Sequence, residues 1–68
     1  MQPREVIAAF ERAGGIARAG WGSHRDIKMP NGQLITIPAH GEAKAGLLGA
    51  ALRKAGLSVD EFLRLLGR

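Results

Sequence analysis

Apolar residues recur along this chain with two different periods, and each period predicts a type of element. Val6, Ile7, Phe10 and Ala13 follow helical spacing, which predicts a first helix over about residues 3–13 with one apolar stripe. Pro3 is tolerated in a first helical turn, and Glu5 there suits the positive end of the helix dipole. Gly14-Gly15 ends the helix, because glycine takes the left-handed C-terminal position without a steric penalty. From residue 16 the period shortens to two. Residues 16–21 read as a first strand, diluted by two alanines and a glycine, with Gly20 and Gly22 marking a bulge or turn around Trp21. Residues 24–29 read as a second strand. Pro30-Asn31-Gly32 is a turn signal, since proline presets φ and asparagine and glycine tolerate the turn conformations after it. Gln33 to Ile37 form a third strand, rich in β-branched residues and closed by Pro38.

The helical period returns at Lys44–Ala55, where Leu47, Leu48, Ala51, Leu52 and Ala55 share one face. Gly56 stops this helix. Ser58-Val59-Asp60-Glu61 reads as a capping box for a short third helix, with Leu57 and Phe62 placed as its hydrophobic staple. Val59, Phe62, Leu63 and Leu66 are the expected buried face. The order is α-β-β-β-α with a short extra C-terminal helix. Sequential strands joined by tight turns imply a three-stranded antiparallel sheet, and the flanking helices would pack on one of its faces. The other face is left to solvent or to a ligand.

Composition narrows the function. At 68 residues there is room for a single domain, 1–68, and one small core. The absence of cysteine excludes disulfides and thiolate metal sites. No apolar run approaches the roughly 20 residues needed to span a bilayer, and the N-terminus lacks a secretory signal pattern. The expectation is a cytoplasmic protein with no membrane partner. Ten Lys plus Arg face six Asp plus Glu, a net charge of +4. The excess lies between residues 18 and 54, where Arg18, Arg25, Lys28, Lys44, Arg53 and Lys54 face only Asp26 and Glu42. A cluster of this kind suits an anionic partner such as nucleic acid, and equally a solvated surface.

Alternation along the second strand places His24, Asp26 and Lys28 on one face and Arg25, Ile27 and Met29 on the other. The second set reads as the core side, with Arg25 near enough to the strand end to escape. Residues i and i+2 lie about 6.6 Å apart along a strand, so Asp26 can favour a protonated His24 and Lys28 can hold a phosphate. Histidine is the side chain whose ordinary pKa lies near neutrality, which makes His24 the first candidate for acid–base chemistry. A surface or hydrogen-bonding histidine fits the same position. His40 reads as a turn or helix cap as readily as a site residue. His24, His40 and Glu42 lack a recognised metal-binding spacing, so no metal and no cofactor is expected. Lys44, Arg53 and Lys54 can grip phosphates, although Arg53 and Lys54 also complement a helix C-terminus. Ser23 adjoins His24 in sequence, which points the two side chains apart on a strand, and it does not read as a nucleophile. Trp21 can stack on a base or sit partly buried.

Several segments together carry a resemblance: Gly22-Ser23-His24, Pro30-Asn31-Gly32, Ile35-Thr36-Ile37-Pro38 and His40-Gly41-Glu42. Leu48, Leu52, Ala55-Gly56-Leu57-Ser58 and Glu61-Phe62 continue it. This pattern resembles the HicA family of toxin–antitoxin mRNA interferases over nearly the whole chain. The resemblance implies a fold like a double-stranded-RNA-binding domain and metal-independent ribonuclease activity on mRNA. It also implies a HicB-type antitoxin that binds the toxin and hides its active site. The family's catalytic histidine falls on His24. The chain departs from the family in having Trp21 where lysine is common, and Ala43-Lys44-Ala45-Gly46-Leu47 where Leu-Lys-Pro-Gly-Thr is common.

Two other readings stay open on sequence: a non-catalytic RNA-binding module, and a decayed toxin that acts only as a protein-interaction partner. The first has no need of His24. The second requires salt-sensitive binding to an acidic protein without RNA affinity.

Overall fold

The computed structural model describes residues 1–19, 22–39, 41 and 44–67. Helix α1 (Pro3–Arg12) leads into strands β1 (Ile16–Ala19), β2 (His24–Lys28) and β3 (Leu34–Pro38), followed by α2 (Ala45–Ala55) and α3 (Val59–Leu65). The sheet is antiparallel in the order β1-β2-β3. The element order predicts this α+β arrangement, and it is consistent with the double-stranded-RNA-binding-domain-like fold that the resemblance implies. No described helix is long and apolar enough to cross a membrane.

Both long helices end as glycine dictates. Gly14 adopts φ 98°, its N–H donates to Glu11 O, and the Gly15 N–H donates to Phe10 O at 2.9 Å. Gly56 adopts φ 73°, and the Leu57 N–H reaches back to Leu52 O at 3.0 Å. These paired bonds satisfy the last helical carbonyls and turn the chain sharply. Gly15 then passes close to the sheet. A Cβ there would lie 2.7 Å from Ile27 Cγ2, 2.8 Å from Met29 Sδ and 2.8 Å from Phe10 O. Only the absence of a side chain lets α1 descend directly onto β2.

The core is one cluster drawn from every layer. Val6, Ala9 and Phe10 of α1 meet Ile27 and Met29 at β2, Ile35 and Ile37 of β3, Ala51 and Leu52 of α2, and Phe62 of α3. Fully burying a side chain of the size of Phe10 or Ile27 contributes roughly 1.5–3 kcal/mol. Phe10 and Phe62 stack at a tilt of 42° with ring centroids 5.8 Å apart, which seats α3 on α1. Arg12 Nη1 donates to Leu65 O at 2.6 Å and holds the far end of the same contact. The capping box of α3 is complete. Ser58 Oγ accepts from the Glu61 N–H at 3.1 Å, and Glu61 Oε1 accepts from the Ser58 N–H at 3.2 Å.

The buried face of α3 differs from expectation. Phe62 is buried and Leu66 partly so, but Val59 is 62% exposed and Leu63 is 45% exposed. Seating Phe62 on Phe10 and Leu65 O on Arg12 turns the Phe62–Leu65–Leu66 side inward, which carries Val59 and Leu63 outward. Strand limits also shift. Among the described residues the first strand covers Ile16–Ala19, and its expected end at residues 20 and 21 lies outside them. Pro38 is the last residue of β3 rather than its terminator. The Met29 N–H donates to Gln33 O at 2.9 Å and the Ala39 N–H donates to Ser23 O, so odd-numbered residues of β3 turn their backbone groups to β2. Pro38 turns its ring nitrogen to the outer edge, where no ladder bond is lost.

The hairpin turn is tied to α2. The Gly32 N–H donates to Met29 O at 2.9 Å, and Asn31 Oδ1 accepts from the Gln33 N–H at 3.0 Å. Asn31 Nδ2 donates to Lys54 O at 2.9 Å, while Lys54 Nζ donates to Leu34 O at 3.1 Å. One asparagine therefore shapes the turn and caps a carbonyl near the end of α2.

These contacts set the expected stability of three variants. Gly15→Ala should lower stability by about 1–3 kcal/mol through overpacking. Gly49→Ala should raise it by about 0.5–1 kcal/mol, because the new methyl meets only Arg53 Nη1 at 3.7 Å. Urea unfolding of the two variants beside the parent checks both signs, and an unchanged midpoint for Gly15→Ala would refute the close approach. Asn31→Ala removes the turn bond and the α2 bond together. It should cost roughly 1–2 kcal/mol, and a loss no larger than that of Lys54→Met would show that the asparagine side chain contributes little.

Candidate functional site

The helices and the core occupy one side of the sheet, and the other side is lined by β-strand positions two residues apart. Pairing sets those positions in rows. Ile16 lies beside Lys28 and Lys28 beside Leu34; Arg18 lies beside Asp26 and Asp26 beside Thr36; His24 lies beside Pro38. Ile16, Arg18, His24, Lys28, Leu34 and Thr36 are exposed, while Asp26 and Pro38 are half-buried. The strand pattern His24–Asp26–Lys28 is therefore displayed as alternation predicts, with Ile27 and Met29 turned into the core.

His24 is the first residue of β2. Gly22 takes φ 63° just before it, where a Cβ would meet nothing within 4 Å. The positive φ, rather than lack of room, is what favours glycine there. The bond from the Ala39 N–H to Ser23 O extends the hairpin ladder one residue past each strand end. His24 is thus held inside the paired region, not beyond it, and the exposed ring stands on a fixed backbone. Ser23 is exposed in the turn that precedes the strand.

Asp26 accepts a hydrogen bond from Thr36 Oγ1 at 3.0 Å on Oδ1. Thr36 stands in a segment that carries the resemblance, but the sequence does not single it out as a site residue. The turn nevertheless encodes the pairing, because closing the hairpin with Met29 opposite Gln33 puts position 26 opposite 36. The hydroxyl orients the carboxylate across the strands, between His24 and Lys28 on the same face.

The remaining basic residues are distributed rather than gathered. Arg25 escapes the core as expected, and it emerges on the helix side. There it lines an open cleft of about 300 Å³ with Arg4, Ile7, Glu11 and Ala39. It does not share a face with His24. Lys44 precedes α2 as its N-cap residue, with extended backbone and no side-chain cap. Arg53 and Lys54 occupy the last turn of α2, where cations complement the helix dipole. The Lys54 ammonium is engaged with Leu34 O. Arg18 and Lys28 are the two cations on His24's own face among the described residues. Among those residues no three His, Asp or Glu side chains converge as a metal site would require. His40 and Glu42 lie outside the described residues.

Arg18 is brought beside Asp26 by the β1–β2 pairing. The face thus offers a histidine, a carboxylate held by a hydroxyl, and two cations. This set can bind a phosphodiester and move a proton at it.

A search of the curated proteins gave no match. A family model described as the HicA toxin of bacterial toxin–antitoxin matches residues 3–57, a span that includes α1, the whole sheet with His24, and α2. Only α3 and the chain ends fall outside it. With most of its length and all of its sheet within that match, the chain belongs to the HicA toxin family of bacterial toxin–antitoxin systems.

Proposed function

We propose that this toxin acts as a metal-independent endoribonuclease on mRNA, with His24 as its general acid or base, and that a HicB-type antitoxin neutralises it. The observation that carries this reading is the exposed His24, held on a fixed backbone and sharing a face with Arg18 and Lys28.

RNA supplies its own nucleophile. The 2′-oxygen attacks the adjacent phosphorus as the P–O5′ bond breaks. One proton leaves the 2′-hydroxyl and one is delivered to the departing 5′-oxygen. His24 performs one of these transfers, a role worth roughly 10²–10⁴-fold in rate. Lys28 and Arg18 hold the phosphate and stabilise charge that builds on its oxygens. Asp26, its carboxylate oriented by Thr36, lies on the same face as His24 and Lys28. Lys44 and Arg53 extend the basic surface away from the reacting phosphate and contact the rest of the RNA, whereas Arg25 lies on the helix side and the Lys54 ammonium is bonded to Leu34 O. Ser23, exposed in the turn before His24, is a secondary candidate, as His40 is on sequence alone. An exposed face of this kind selects accessible single-stranded regions in preference to a paired helix.

The test is cleavage of RNA in excess EDTA by the parent, His24→Ala and His24→Gln. The parent should cleave, and both variants should lose roughly 10²–10⁴-fold in kcat while keeping their fold by circular dichroism. Equal cleavage by all three would remove His24 from the mechanism. A folded parent that binds RNA without cleaving it would leave the RNA-binding module as the better reading. Lys28→Ala should raise KM and lower kcat together, and its apparent binding should lose salt dependence by about one phosphate contact.

A further inference from the structure

Several cations of this chain already have a task in the fold. Arg12 Nη1 is bonded to Leu65 O and Lys54 Nζ to Leu34 O, while Arg18 and Lys28 share the His24 face. Arg4 and Arg25 have none. Both are exposed, and neither makes a hydrogen bond or ion pair among the described residues. They nevertheless meet, because both line the open cleft of about 300 Å³ on the helix side of the sheet.

The cleft has two walls. Arg4, Ile7 and Glu11 form the first, at i, i+3 and i+7 along α1, so that it runs for about 10 Å. Arg25 and Ala39 form the second. Both belong to the end of the sheet that carries His24. Arg25 follows His24 in β2, and the Ala39 N–H donates to Ser23 O just before it. Consecutive strand residues point to opposite faces, so His24 and the cleft stand back to back at one end of the sheet.

We infer that this cleft is a nucleotide subsite, in which Arg4 and Arg25 hold a phosphate of the RNA strand beyond the one that His24 acts on, and Glu11 reads a guanine base. The inference rests on the ribonuclease reading and extends it from the reacting phosphate to a neighbouring nucleotide. Guanidinium groups suit phosphate oxygens in geometry and in charge. An ionised Glu11 only accepts hydrogen bonds. Guanine alone among the four bases carries two adjacent N–H donors on its Watson–Crick edge, and a single strand leaves that edge free. Ile7, half-buried between Arg4 and Glu11, gives the base an apolar surface to lie on.

The carboxylate also argues against a purely acidic partner, because Glu11 repels a second carboxylate while a base offers it donors. A surface attraction between Arg25 and Glu11 would be worth little and would leave Arg4 without a role. A strand that reaches both His24 and the cleft has to bend around the end of the sheet. A flexible single strand can do so, and a paired helix cannot.

Parent, Arg4→Ala, Arg25→Ala and Glu11→Gln, each checked for fold by circular dichroism, are assayed on uridine hexanucleotides with one guanosine, adenosine or cytidine placed at each position in turn. A dinucleotide, too short to reach from His24 to the cleft, is the second substrate. Arg4→Ala and Arg25→Ala should each raise KM on the hexanucleotides roughly threefold to tenfold and flatten its salt dependence, with kcat within about twofold of the parent. The dinucleotide should be cleaved alike by all four proteins. The parent should favour guanosine at one position, and Glu11→Gln should lose that preference. Parental KM in both arginine variants overturns the inference, as does an equal loss on the dinucleotide. Equal use of the four bases by the parent overturns it too. Weakened binding of the antitoxin in both arginine variants, with parental RNA kinetics, also overturns it by assigning the cleft to a protein. If the parent cleaves no RNA, the ribonuclease reading fails, and fluorescence titration with 2′-O-methyl hexanucleotides decides this one separately: parental affinity in Arg4→Ala and Arg25→Ala would overturn it.

Discussion

Every functional statement about this chain depends on the register between β2 and β3. Side chains alternate across a strand, so slipping one residue would turn His24, Asp26 and Lys28 into the core and push Ile27 and Met29 into water. The turn at Pro30-Asn31-Gly32 prevents this by pairing Met29 with Gln33. Ile27, Ile35 and Ile37 then bury on one side, and the burial penalises any other pairing. At the opposite end the Ser23–Ala39 bond closes the ladder beside His24. The chemistry is thus positioned by apolar residues on the opposite face of the sheet.

The distribution of charge shows how a small basic protein divides one composition among different tasks. The excess of cations between residues 18 and 54 looks uniform in sequence, yet the fold sends its members to separate places. Arg18 and Lys28 share a face with His24, Arg25 leaves on the helix side next to Glu11, and Lys54 spends its ammonium on a backbone carbonyl of β3. A charge count alone assigns them all to one partner. The geometry gives them different neighbours, and a lysine bonded to the sheet is a structural element as much as a surface charge.

Much of this is legible in the chain because the signals are local. The glycines at 14 and 56 and the Ser58–Glu61 box fix helix ends through the backbone bonds of adjacent residues, and all three stand where the pattern puts them. The face assignment of β2 comes from alternation, and the position of His24 at a strand start comes from the glycine before it. Features that depend on how elements pack are harder to read. The inward side of α3 is set by where Phe62 meets Phe10 and where Arg12 reaches Leu65 O, and neither contact has a sequence signature. The role of Thr36 escapes notice for a different reason: its partner, Asp26, is identified only after the turn is converted into a register. The role proposed for His24 draws on resemblance to the toxin family, and periodicity does not contain it.

The bond from Lys54 to Leu34 O also bears on how this sheet meets other chains. A sheet has two rims, and each offers unpaired backbone groups to any passing strand. Along β3 one of those groups is already taken, and α2 stands close by with its last turn anchored through Asn31. On β1, the other rim, Ala17 turns its backbone away from β2. A sheet with one rim obstructed grows in one direction only, so an added strand from any source would join as a neighbour of β1, next to Ile16 and on the flank of the His24 face.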